Sequence, residues 1–283
     1  SQDKLGIFYF NPFLFFLLGE IIIFLILLFI IGYPLFVLFE KGYALFFHKL
    51  LYVHFYLFPQ KVTLQQLEIL IKIDFYQKLS PKQKQFFEHR VAAFISNYQF
   101  YENGDFEVTD EMKIAIASSA IMLTFGMRFY LFTNFDKIII YPDSYYSTIT
   151  DVHHNGEFNP KARVIVFSWK HFQEGNAISN NNLNLGLHEF AHALHFQSKK
   201  VTDISLLLFA DMYQKIIADV KNPRNQKALV ESGYFRDYAF TNNYEFIAVL
   251  LEHFFETPQE FKNQFPELYM KVRKMINFDE RLL

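Results

Sequence analysis

The chain has 283 residues, of which 52% are hydrophobic and 19% aromatic, with a formal net charge of -2 and no cysteine. That length holds one large domain, or one domain with an appendage. The charge gives no reason to expect nucleic acid as a partner, and the missing cysteine excludes disulfides and thiolate metal sites.

Residues 21–39 read IIIFLILLFIIGYPLFVLF, a run without a charge. As a helix it is about 28 Å long, close to the hydrocarbon thickness of a bilayer, so a single transmembrane span is predicted. It is too long, and lacks the small-residue site, for a cleaved signal peptide. Glu20 falls near one interface, and Pro34 is of a kind membrane helices tolerate. Residues 43–58 (YALFFHKLLYVHFYLF) carry a central Lys49, so an interfacial or joining helix is the better reading than a second span. Lys41 and Lys49 follow the span against Lys4 before it, which favours a cytoplasmic C-terminal domain. The expected division is a membrane segment over 1–58 and a soluble domain over 59–283.

From Pro59 the composition becomes that of a soluble protein. Leu64, Leu67, Ile71, Phe75 and Leu79 recur at helical spacing. Ser80-Pro81 predicts an N-cap and first turn of a helix to about Ser96, and Asn103-Gly104 a turn. Thr109-Asp110-Glu111 opens a helix through about Phe125, ended by Gly126. Residues 137–141 and 163–167 read as strands of one small sheet. The Asn180-Asn181-Asn182 run is a loop, and Asn184 can cap the helix that follows. The class is α+β, helix-rich, with one small sheet.

That last helix carries His188-Glu189-Phe190-Ala191-His192. His188 and His192 lie one turn apart on one face, so their imidazoles can grip one Zn²⁺, with Glu189 beside them as general base. Burying these groups in so apolar a helix without a metal would be costly. The metzincin extension is absent, because His195 and Ser198 stand where Gly and His would be needed. A third ligand must come from elsewhere, and Glu245, preceding an apolar run, is the best candidate. Glu252 lies two turns further on the same face and can accept the outer N–H of a ligand histidine. Tyr238 can donate to a developing oxyanion, although it is one of 17 tyrosines. His195 shares the ligand face and reads as a supporting or surface residue. His153-His154 sits in a polar loop, and adjacent residues rarely share one ligand sphere. The strand at 163–167, if an edge, could align an extended peptide.

The segments VTDEMKIAIASSA (108–120), IIIYPDSY (138–145), VIVFSW (164–169), NLGLHEFAHALH (184–195) and YAFTNNYEFIAVLLEHFFETP (238–258) resemble, in order and spacing, the Mlc titration factor A family of zinc-dependent peptidases. The resemblance covers about two-thirds of the chain. It implies a zincin-like fold and a gluzincin-type site: His188, His192 and Glu245 as zinc ligands and Glu189 as base. The Tyr238–Glu245 spacing is similar to that of the anthrax lethal factor catalytic domain, which implies a catalytic role for Tyr238. Two departures stand out. Ala193-Leu194-His195 replaces the family's Lys-Leu-Asp, and the membrane segment is an addition. The expectation is a zinc peptidase acting on peptide or protein, anchored in a bacterial inner membrane. The alternative is a regulatory protein that binds a transcriptional regulator and uses zinc structurally.

Overall fold

The computed structural model describes residues 12–102, 106–147, 151–177, 180–200 and 202–283. The turn expected at Asn103-Gly104 lies outside them. Helix α1 (Pro12–Phe47) runs through Pro34 without a break and is long and apolar enough to cross a membrane. Its side chains from Ile21 to Phe39 are exposed almost without exception, which water would penalise and lipid would not.

The helix expected over residues 43–58 ends at Phe47. His48 adopts a left-handed conformation (φ 48°), and no further helix forms before Leu64. The physical reason lies in long-range bonds. Leu50 donates its N–H to the Asn277 side chain, and the Val53 carbonyl accepts from Arg90, so this backbone is satisfied by the domain. Arg90 is fully buried. Its guanidinium donates to the Thr124, Phe125 and Met127 carbonyls and lies 4.3 Å over Tyr130. A cation is thereby neutralised against the negative end of a helix.

The periodic run over residues 64–79 forms two short helices, α2 (Leu64–Leu70) and α3 (Asp74–Lys78). Ile73 is extended between them, and Asp74 opens the second where an acid suits the dipole. Helix α4 (Pro81–Asn97) starts as expected, with Ser80 and Gln83 forming a capping box. Strand β1 (Gln99–Glu102) follows, then α5 (Asp110–Thr124), capped by Thr109. A Cβ on Gly126 would lie 2.3 Å from the Asn277 carbonyl, so glycine there admits the C-terminal segment as well as closing the helix.

The sheet is larger than two strands. β2 (Lys137–Tyr141), β3 (Tyr145–Ser147), β4 (Val152–His154), β5 (Gly156–Asn159) and β6 (Val164–Ser168) form a four-stranded sheet of order β1-β2-β6-β5 and a β3-β4 hairpin. β1, β2 and β6 are parallel, and β5 is antiparallel to β6. The strand near 163–167 is therefore internal, as its five buried residues require, and β1 and β5 are the edges. His153 and His154 belong to strand β4 rather than a loop. Beneath the sheet lie α6 (Trp169–Ala177) and α7 (Leu185–Ser198). The rest is helical: α8 (Ile204–Val220), α9 (Pro223–Glu231), α10 (Asn243–Glu256), α11 (Pro258–Gln264) and α12 (Pro266–Met275). The architecture is α+β and helix-rich, with a main core running between sheet and helices and two small satellite clusters among the described residues.

Candidate active site

Asn184 starts α7 by accepting the Leu187 N–H at 3.0 Å. Leu187, Phe190, Ala191 and Leu194 are buried at helical spacing, and Phe190 packs against Phe94, Phe132 and Phe167. Removing that ring would cost about 3–5 kcal/mol. With the apolar face so fixed, His188 and His192 point to the other side, toward α10. Helix α10 begins at Asn242, whose side chain accepts the N–H groups of Tyr244 and Glu245 at 2.8 and 3.1 Å. This places Glu245 in the first turn, facing α7.

Three donor atoms converge there. His188 Nε2 lies 3.0 Å from Glu245 Oε2 and 3.1 Å from His192 Nε2, and His192 Nε2 lies 3.5 Å from Glu245 Oε2. Donors sharing one tetrahedral Zn²⁺ at about 2.0–2.1 Å stand about 3.3 Å apart, so the set fits such an ion. Glu245 Oε2 is buried and faces both imidazole nitrogens. Two imidazoles and one carboxylate, with a carboxylate oxygen aimed between them, are the donor set of a cation site.

Burial alone would lower His188, but hydrogen bonds to Glu245 and Glu252 raise it to about 10. Glu245 is half-buried, which would raise it, yet His188 and His192 hold its carboxyl well below the ordinary range. Glu189 is raised, chiefly by burial and against the pull of both histidines, and it accepts the Phe158 backbone N–H of edge strand β5. A Cβ on Gly156 would lie 2.9 Å from Glu189 Oε1, so glycine at the start of β5 allows the strand to pass over this carboxylate.

Tyr238 stands on a 3₁₀ turn (Asp237–Phe240), its ring centroid 6.0 Å from that of His188. Its hydroxyl donates to Glu245. Burial, then the Glu245 and Glu189 charges, push its pKa well up, so it stays a donor. Glu252 is 1% exposed, and its Oε1 accepts His188 Nδ1–H at 2.7 Å. That bond leaves Nε2 of a neutral His188 with its lone pair toward the other donors.

The fold thus brings together His188, Glu189, His192, Tyr238, Glu245 and Glu252. His195 stays apart. It is buried with its ring 4.1 Å from Tyr213 and 4.8 Å from Tyr244, and neither nitrogen has a partner among the described residues. Burial and the Lys199 charge lower its pKa to about 4, so it packs as a neutral aromatic. His153 and His154 line the same cleft, about 410 Å³ in volume, without joining the three donors.

Sequence reasoning missed Arg236. It donates to both Glu252 oxygens at 3.0 and 2.8 Å and so holds the carboxylate that holds His188. The available signal was Glu252 itself, a carboxylate on an apolar helix that needs a cation.

Residues 57–276 match the family model described as glucose-regulated metallo-peptidase M90. An uncharacterized protein, slr2042, of Synechocystis sp. is 28% identical over 232 residues, covering 72% of this chain and 79% of its own. The Mlc titration factor A of Pectobacterium atrosepticum is 24% identical over 78% of this chain and 89% of its own. That of Cronobacter sakazakii is 26% identical over 72% and 82%.

Proposed function

This chain belongs to the glucose-regulated metallo-peptidase family M90, and from that premise we propose that it is a membrane-anchored, zinc-dependent peptidase. His188, His192 and Glu245 are the proposed metal ligands, and Glu189 and Tyr238 the catalytic residues. Residues 1–58 form the anchor and residues 59–283 the peptidase domain, with the domain on the cytoplasmic face of a bacterial inner membrane. The observation that carries the reading is Glu189, buried beside three convergent donors and under an edge strand.

When bound, Zn²⁺ supplies a Lewis acid that polarises the scissile carbonyl and acidifies water. The chain's own residues do the rest. The outer edge of β5 aligns an extended peptide by strand addition over the cleft. Glu189, with its pKa raised by burial, takes a proton from the attacking water at its carboxylate and delivers it to the departing amine. The Tyr238 hydroxyl donates to the oxygen that gains negative charge. Arg236 and Glu252 fix the His188 ring through Nδ1–H.

A second reading, in which the protein acts by binding a partner, draws on the name Mlc titration factor A of two relatives. A closed cage of four donors would favour it, whereas three donors converge among the described residues. The test is cleavage of a peptide library by the full chain with and without a chelator. Glu189→Gln is expected to lower cleavage by about 10²–10⁴ while elemental analysis still finds the metal. Undiminished cleavage by that variant overturns the mechanism.

A further inference from the structure

We infer that the cavity at the foot of α1 binds the phosphate-bearing headgroup of an anionic membrane lipid, within an apolar collar that lies in the bilayer interface. The inference rests on the proposed membrane span. The cavity, about 470 Å³, is distant in sequence from the candidate active site. It is walled by Phe47, His48 and Lys49 at the end of α1 and by the C-terminal segment that carries Arg273, Lys274 and Arg281.

Its charge is asymmetric. Two acids line it, and both are engaged: Glu280 lies 3.1 Å from Arg273 and 3.2 Å from Lys262, and Asp279 lies 2.5 Å from Arg281. Lys49 and Lys274 have no carboxylate partner among the described residues. Two ammonium groups are thus left unneutralised in one concavity, a pattern that suits a phosphodiester. His48 adds no charge, because burial and the nearby Lys215 and Lys274 keep it below its ordinary pKa. His54, lowered to about 3 by burial and then by Arg90, adds none either.

The surroundings say which phosphate. In the last turn of α1 and just after it the chain exposes Phe46 (79%), Phe55 (71%), Leu57 (75%) and Phe58 (89%). A soluble surface rarely gathers such groups, while a membrane interface collects aromatic rings at headgroup level. The collar continues the apolar surface of α1 in sequence. From Phe39 to Phe47 the helix rises about 12 Å, from the edge of the hydrocarbon toward the headgroup layer. Glu40, in between, is buried against Arg128 and does not interrupt this surface. A free phosphate would use the lysines but not the collar. A lipid uses both.

The test uses the full chain in detergent, with native mass spectrometry reading adducts of dioctanoyl phosphatidylglycerol, dioctanoyl phosphatidylcholine and inorganic phosphate. One phosphatidylglycerol per chain is expected, with the phosphatidylcholine and phosphate adducts at least about tenfold weaker. The double variant Lys49→Gln, Lys274→Gln is expected to weaken phosphatidylglycerol binding about thirtyfold, since each basic group near an anionic headgroup strengthens binding about fivefold. Equal binding by variant and wild type, or no preference for phosphatidylglycerol over phosphatidylcholine, overturns the inference. Phosphate binding as tight as lipid overturns the lipid source. Flotation with neutral phosphatidylcholine vesicles separates the premise, since wild type and variant should both float through α1. Failure of both to float, with lysine-dependent lipid adducts retained, overturns the span and leaves the headgroup site standing.

Discussion

Helices α1 and α10 are built from the same residues, Phe, Leu, Ile and Val, yet α1 exposes nearly all of its own and α10 buries nearly all. Each also buries one carboxylate almost completely: Glu40 is 5% exposed and Glu252 1%. Glu40 meets a single cation, Arg128, at 2.8 and 3.3 Å. Glu252 meets Arg236 with both oxygens and His188 with one. The first arrangement fastens a helix to a domain. The second passes position on to a side chain that faces the donor cluster. A buried carboxylate therefore has a function set by its number of partners and by where the last of them points.

The comparison can be broken hardest at the donors themselves. His192→Ala removes one of three converging atoms, and elemental analysis is expected to find bound metal reduced from one per chain to nearly none. Stoichiometric metal in that variant would exclude His192 from the ligand set. The next test makes one chemical change at both carboxylates. Glu252→Gln should weaken metal affinity about 10–100-fold. It should also lessen proton release on metal binding. His188 is raised to about 10 in the metal-free protein, partly by Glu252, so below that pH the metal must displace a proton and affinity rises with pH. With Glu252 replaced, less of that proton is held near neutrality. Titration calorimetry in buffers of different ionisation enthalpy reads the difference. An unchanged proton count would detach Glu252 from the site.

Glu40→Gln should leave metal affinity alone and loosen the foot of α1. Removing one partner of a buried pair costs about 3–5 kcal/mol, and Arg128 is one-fifth exposed, so about 1–3 kcal/mol is expected. Thermal unfolding of the full chain in detergent measures it. A variant with reduced metal affinity would erase the distinction between the two helices.

The difference between these regions also explains what could be read from the chain. His188, Glu189 and His192 are fixed by helical spacing, and an apolar run around a glutamate pointed to Glu245, so these are local signals. Arg236, Gly156 and the Phe158 N–H depend on how a turn and an edge strand are brought to α7, which no periodicity encodes. Whether the strand near 163–167 is an edge was open in the sequence because its neighbours are short or weakly apolar, and only pairing shows β6 to be internal. The joining helix expected over 43–58 failed for a related reason. Its apolar residues fit a helix, but Arg90 and Asn277, far along the chain, take its backbone bonds. His195 shares the ligand face on a helical wheel, and the packing of Tyr213 and Tyr244 turns it into core.

Glu256, one turn beyond Glu252, supplies the smallest effect and the cleanest control, because it is a carboxylate on the same helix with no cation partner among the described residues. Its Oε2 has no partner, and burial holds its pKa up to about 7, against N–H groups of Asn182, Asn184 and Leu183 that favour the charged form. A carboxyl raised on folding binds its proton more tightly in the folded state than in the unfolded. Its contribution is therefore fully present below the unfolded value near 4.5 and is lost as pH rises through about 7. Glu256→Gln should match wild type in denaturant unfolding at pH 4.5 and exceed it by about 1 kcal/mol at pH 8, a figure discounted for partial solvent screening. If the gap does not widen with pH, this carboxylate is already ionised at neutrality. The loop of Asn182 to Asn184 would then supply a third kind of partner, backbone N–H groups of Asn182 and Leu183 with the Asn184 side-chain amide, equal to a cation in holding a buried charge.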